Sequence, residues 1–202
     1  MLGVNTLNGK LRKNQFIFAG RLDKAKGIDV LLMAWNIINI KQVNDKPHLL
    51  ICGSGPEEDW CLNFIKNNYL EDSITFLGRK DNKSVLNYIA ESRALILPTQ
   101  WYEGFPMTIV ESFSFGTPVL GSAIGNVGGI IIEGVNGYTF NQKIPEEIVK
   151  VIFRVLKDGE SEERNIYKST YEHFIRNYTE ELNYNKLREI YSLINGSLEG
   201  RR

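Results

Sequence analysis

Residues 15–56 read QFIFAGRLDKAKGIDVLLMAWNIINIKQVNDKPHLLICGSGP, and the fold follows from this stretch. Gln15–Ala19 (QFIFA) and His48–Cys52 (HLLIC) are short and apolar on both faces, as parallel strands covered by helices on both sides must be. Between them, Ile28–Ile40 sets Leu31, Leu32, Trp35, Ile38 and Ile40 largely on one side of a helix. The unit is strand, glycine-containing loop, amphipathic helix, strand. It recurs outward through Ile74–Leu77 (ITFL), Ala94–Leu97 (ALIL) and Pro118–Gly121 (PVLG). Trp60 with Phe64, Cys61 with Ile65, and Val85 with Tyr88 and Ile89 repeat the helical spacing between those runs. Five such repeats predict an α/β domain, a doubly wound parallel sheet with right-handed crossovers. Glu133–Gly137 then reads as a turn. Ile144–Leu156, Glu162–Phe174 and Thr179–Ile194 read as helices with no strands between them, a C-terminal helical cover. No internal repeat or low-complexity linker interrupts the chain. One domain is expected over 14–195, after a start segment or inter-domain linker at 1–13 and before a tail at 196–202.

The 202 residues hold 24 Lys plus Arg against 24 Asp plus Glu, so the basic excess of a nucleic-acid binder is missing. The balance is uneven along the chain: residues 1–47 hold 8 basic and 3 acidic residues, and residues 48–142 hold 5 and 10. Two cysteines, Cys52 and Cys61, do not make a disulfide scaffold and fit a reducing compartment. With no further Cys or His beside them they read as core residues rather than metal ligands. No apolar run approaches the roughly 20 residues of a membrane span, and the N-terminus lacks a signal peptide's apolar segment. These features point to a soluble intracellular domain.

Ligands of such sheets sit at the carboxyl ends of the strands, so the residues after each strand carry the functional reading. After the first come Gly20, Arg21, Lys26 and Gly27. The glycine permits a tight turn and the two cations can meet an anion, although a solvated loop also explains them. After the second comes Gly53-Ser54-Gly55-Pro56, which begins like a dinucleotide fingerprint but has Glu58 where the third glycine belongs. After the fourth come Glu103, Gly104, Phe105, Pro106, Met107 and Thr108, with Glu111 eight positions beyond Glu103. Pro106 suits the first turn of a helix, whose free amides then face the strand ends. The spacing of the two carboxylates lets one stand beside a reacting centre while the other reaches a different part of the ligand. After the fifth comes Gly125-Asn126-Val127-Gly128-Gly129, a further backbone-rich loop.

Taken in order, Gly20-Arg21-Leu22 with Lys26-Gly27, Gly53-Ser54-Gly55-Pro56, Glu103 and Glu111 around Gly104-Phe105-Pro106, and Gly116-Thr117-Pro118-Val119 resemble one family. They look like the C-terminal half of a retaining glycosyltransferase of the GT-B fold, in family 4 (glycosyl transferases group 1). The resemblance covers roughly residues 14–195. It implies that Arg21 and Lys26 grip the diphosphate of a nucleotide-sugar donor, most readily a UDP-sugar, with guanosine and then adenosine as further bases. It implies that the amides around Gly104–Met107 meet the sugar and phosphates, and that Glu111 holds the ribose hydroxyls. Glu103 would contact the donor sugar, and the backbone at Gly78-Arg79 would lie by the base. No Asp-x-Asp is present, so no metal or other cofactor is expected. The acceptor half, which in the family supplies a residue, often histidine, near the reacting sugar, would precede residue 1. His48 and His173 match no such position and read as structural.

The family's roles suggest bacterial surface polysaccharide synthesis (O-antigen, capsule or lipopolysaccharide) on a glycan or undecaprenyl-diphosphate-linked acceptor. They place the protein in the cytoplasm, with peripheral contact to the inner face of the plasma membrane. The isolated half would be inactive in transfer. A nucleotide-sugar epimerase of the same fold and a non-catalytic nucleotide-binding module remain open alternatives. A dehydrogenase is disfavoured by the missing third glycine.

Overall fold

The computed structural model describes residues 12–41 and 45–199. Six strands form one sheet: β1 (Lys13–Ala19), β2 (His48–Cys52), β3 (Ile74–Gly78), β4 (Ser92–Leu97), β5 (Val119–Ser122) and β6 (Gly137–Phe140). All pairings are parallel, in the order β3-β2-β1-β4-β5-β6. The helices are α1 (Ile28–Ile40), α2 (Glu58–Asn67), α3 (Asn82–Glu91), α4 (Met107–Ser114), α5 (Gly125–Ile130), α6 (Pro145–Lys157), α7 (Glu160–Asn177) and α8 (Glu180–Glu199). The expected start segment at 1–13 lies almost wholly outside the described residues.

β1, β2, β4 and β5 bury both of their faces, whereas on the edge strand β3 Ile74 is buried and Thr75 is exposed. On β1, Phe16 and Phe18 join Trp35 of α1 and Ile148 and Ile152 of α6 on one side. Ile17 and Ala19 join Ile89 of α3 and Ile109 and Phe113 of α4 on the other. The unbroken apolarity of QFIFA is therefore a consequence of two helical layers, one per face. The Phe16 and Trp35 rings meet edge-on at 6.1 Å. Cys52 and Cys61 are both buried and unbridged. Burial raises both thiols above their ordinary value, that of Cys61 to about 12.

Two elements differ from the reading of the sequence. The sheet has a sixth strand, because Gly137–Phe140 continues directly from the expected turn and pairs with β5 from Val119↔Gly137 to Ser122↔Phe140. Residues 125–130 are a short helix rather than a loop, pinned by Val127, which is buried between β5 and α4. The helical cover is present and slightly longer at both ends of α7 than expected. Strand order reverses direction between β1 and β4, and a crevice opens at that point in doubly wound sheets.

Candidate functional site

Two cavities open side by side over the carboxyl ends of β1, β2 and β4. The first, about 340 Å³, is lined by Gly20, Arg21, Lys26, Thr99, Glu103, Phe105, Pro106, Met107 and Thr108, with Phe18, Ala19, Leu97 and Val127 beneath. The second, about 350 Å³, is lined by Gly20, Arg21, Gly53, Ser54, Arg79, Lys80, Asn82, Val85, Thr108 and Glu111, with Ala19 and Cys52. Ala19, Gly20, Arg21 and Thr108 form their common wall. Most of the strand-end residues picked out from the sequence thus fall together in one crevice. Gly55, Gly78 and Gly104 line neither cavity but adjoin residues that do. Gly55 lies against the backbone of Leu22, the Gly78 carbonyl accepts the Gly53 N–H at 3.0 Å, and the Gly104 carbonyl accepts the Asn126 amide.

Local sequence explains how the cations are presented. Asp23 caps the turn Lys24–Lys26 by accepting the Lys26 N–H at 2.9 Å. Gly27 then takes the left-handed conformation (φ 70°), and a Cβ there would lie 1.9 Å from the Pro98 carbonyl oxygen. Only glycine allows this approach of the β1–α1 loop to the β4–α4 loop. Arg21 Nε pairs with Asp23 at 3.2 Å, and Lys26 Nζ pairs with Glu103 Oε1 at 2.5 Å. The two cations border one cavity, yet each also has a carboxylate partner that the sequence did not reveal.

α4 begins at Met107, with Pro106 in the capping position rather than in the first turn. No side chain caps this helix end; Pro106 and the first residues, Met107 and Thr108, line the first cavity, and the Ile109 N–H turns back to the Pro106 carbonyl at 3.0 Å. Unpaired leading amides and the helix dipole together favour an anion here. Glu111, one turn further on, is half-buried and faces the second cavity. Glu103 faces the first, held by Lys26 and by the Thr99 hydroxyl at 3.0 Å. Thr99 and Asn126 were both missed as contributors. A threonine and an asparagine in polar loops carry no distinguishing spacing.

His48 and His173 lie away from the crevice. His48 Nε2 meets the Thr75 hydroxyl at 2.7 Å, and His173 packs edge-on against Phe113 with ring centroids 5.8 Å apart. Burial holds both imidazoles below their ordinary value. Among the described residues, no group of three or more His, Cys, Asp or Glu is placed to hold a metal ion. No described helix is long and apolar enough to cross a membrane.

The family model described as glycosyl transferases group 1 matches residues 5–173. The chain belongs to this family. An uncharacterized glycosyltransferase of Haemophilus influenzae is 32% identical over 152 residues, covering 75% of this chain and 42% of that protein. The crystal structure of Anabaena HepE in complex with UDP superposes with a TM-score of 0.79 at 19% identity, over 90% of this chain and 49% of that one. The C-terminal domain of a glycosyl transferase group 1 family protein (LpcC) from Francisella tularensis gives 0.72 at 19% identity, over 82% and 86%. The fold is that of the Rossmann-like half of GT-B glycosyltransferases. The chain spans about two-fifths of the length of curated relatives that it matches.

Proposed function

We propose that residues 14–195 are the donor-binding domain of a retaining glycosyltransferase, taking a sugar from a nucleoside-diphosphate sugar to a glycan or lipid-linked acceptor. The observation that carries this is the pair of adjoining cavities, one holding Lys26 and Glu103, the other Arg79 and Glu111, with Arg21 and the α4 amides between them. A bipartite ligand with a charged middle fits that layout. The nucleoside occupies the second cavity, with Glu111 accepting from two ribose hydroxyls and the base beside Gly78-Arg79. The diphosphate lies across the common wall, against Arg21, Lys26 and the amides of Met107 and Thr108. The sugar occupies the first cavity, with Glu103 beside it. UDP is the favoured nucleotide, and its presence in the Anabaena HepE complex supports that choice.

In transfer, the bond from the anomeric carbon to the diphosphate breaks. The acceptor oxygen takes that place on the same face, and its proton leaves with the diphosphate. Charge grows on the departing phosphate, where fixed cations and helix amides stabilise it more than they stabilise the ground state. That arrangement supplies the positive charge from protein groups, so binding proceeds without a divalent metal. The acceptor is held by a second domain outside these residues, and a role in bacterial surface polysaccharide synthesis, at the inner face of the plasma membrane, follows the family's habits. Without that domain the acceptor hydroxyl is not held near the anomeric carbon, and the chain binds donor without transferring sugar. Calorimetric titration of UDP in EDTA, beside incubation of UDP-sugars with lipid-linked acceptors, tests both halves. Binding that disappears in EDTA, or acceptor-dependent product from this chain alone, overturns the reading.

A further inference from the structure

We propose that Thr99 and Asn126 are positioning residues for Glu103, one holding its carboxylate from inside the fold and the other its backbone from outside. The inference rests on the reading of Glu103 as the carboxylate beside the donor sugar. Glu103 sits in the loop between β4 and α4, flanked by Trp101, Tyr102 and Phe105, which are 71%, 84% and 54% exposed. A loop with so little packing does not by itself fix a carboxylate within the fractions of an ångström that sugar recognition needs.

Two ties supply what packing does not. Thr99 is 3% exposed, and its hydroxyl lies 3.0 Å from Glu103 Oε1, 3.0 Å from the Ala25 carbonyl and 3.2 Å from the Trp101 carbonyl. A hydroxyl has one proton to donate, and the charged carboxylate is the strongest of these acceptors. Thr99 is itself well anchored, because its carbonyl accepts from the buried Ser122 hydroxyl at 2.7 Å. The adjacent Gln100 N–H donates to the Ala25 carbonyl at 2.8 Å, joining this loop to the one that carries Lys26. From the solvent side, the Asn126 side-chain amide donates to the carbonyl of Glu103 at 3.1 Å and to that of Gly104.

The need for both ties follows from Lys26. Its ammonium contacts the same Oε1 that Thr99 reaches. When a diphosphate enters, that ammonium is drawn toward the phosphates, and the ion pair no longer fixes Glu103. Thr99 and Asn126 remain in place through that exchange.

The test is calorimetric titration of the chain and of Thr99→Val, Thr99→Ser, Asn126→Ala and Glu103→Gln. The ligands are UDP, UDP-glucose, UDP-galactose and UDP-N-acetylglucosamine, and the quantity read is sugar-nucleotide affinity relative to UDP, for the sugar that the unaltered chain favours. Thr99→Val is expected to lower it about five- to tenfold, and Asn126→Ala about threefold. Thr99→Ser, which keeps the hydroxyl, stays within about twofold of the unaltered chain. A purely structural role would instead lower the melting temperature and weaken all four ligands by one common factor. If Thr99→Val and Asn126→Ala behave in that way, or leave the ratio unchanged, while Glu103→Gln loses the sugar preference, positioning is refuted and the role of Glu103 stands. If Glu103→Gln also leaves the ratio unchanged, both ideas fall together.

Discussion

Alanine at position 53 probes the wall that the two cavities share. Gly53 has φ 154°, and a Cβ there would lie 1.8 Å from the Gly20 carbonyl oxygen and 3.0 Å from its carbon. Ordinary contact begins near 3.4 Å, so the loops after β1 and β2 must separate by about 1.6 Å. Both are backbone, and neither can swing aside as a side chain would. Forcing extra volume into a packed site costs about 1–3 kcal/mol, and a non-glycine residue in this backbone region costs a similar amount. Together they give about 2–6 kcal/mol. At about 2–4 °C per kcal/mol for a domain of this size, the melting temperature falls by roughly 4–24 °C. Because Gly20 belongs to the common wall, the same movement spoils the bridge between the cavities. UDP affinity therefore falls by more than tenfold in protein that is still folded at the assay temperature. Gly129→Ala is the matched control, since a Cβ there meets nothing within 4 Å. Gly53→Ala melting within a degree of the unaltered chain and binding UDP equally well would refute the geometry.

Arg21→Ala and Lys26→Ala should each weaken UDP while sparing uridine. Partial exposure, 69% for Arg21 and 37% for Lys26, limits each loss to about 1–2 kcal/mol, or roughly five- to thirtyfold in Kd. Equal losses for both ligands would move these cations away from the phosphates. Glu111→Ala should weaken UDP and uridine alike by about tenfold, and 2′-deoxy-UDP should bind the unaltered chain more weakly than UDP does. Equal binding of the two nucleotides would end the ribose role. Burial depresses His173, so the fold takes up the imidazole proton less readily than the unfolded chain, which does so near pH 6.5. That stabilisation is complete above about pH 6.5 and is lost as pH falls through the folded-state value. Thermal melts at intervals between about pH 7.5 and 5.5 should therefore slope less steeply for His173→Gln, and identical slopes would contradict the assignment.

Five strands were legible because each is apolar on both faces, a pattern that few other elements produce. β6 was not, because GYTF is four residues long, begins at a glycine and sits at the sheet edge, where one neighbour defines it. α5 was hidden by three glycines in GNVGGI, whose poor helix propensity is overridden by the burial of Val127. Site residues could be nominated by a topological rule, since whatever follows a strand lies at its carboxyl end. That rule gives position without orientation. It placed Lys26 after the first strand and Glu103 after the fourth but did not reveal that their loops are neighbours or that they pair, nor that Thr99 turns inward beneath them. Pro106 shows the same limit at the scale of one residue, since a helix start was evident while its register was not.

The common wall of the crevice is narrow, only Ala19, Gly20, Arg21 and Thr108, and beyond it the two linings have no residue in common. Under the proposed reading, preference for the base and preference for the sugar are written in separate sets of side chains. Asn82 and Val85 border only one compartment, while Phe105 and Val127 border only the other. Changes in separate sets without shared partners combine with little interaction energy. A lineage, or a library, can therefore alter which sugar is carried while keeping its nucleotide, and selected variants from each compartment can be joined without a further round of selection.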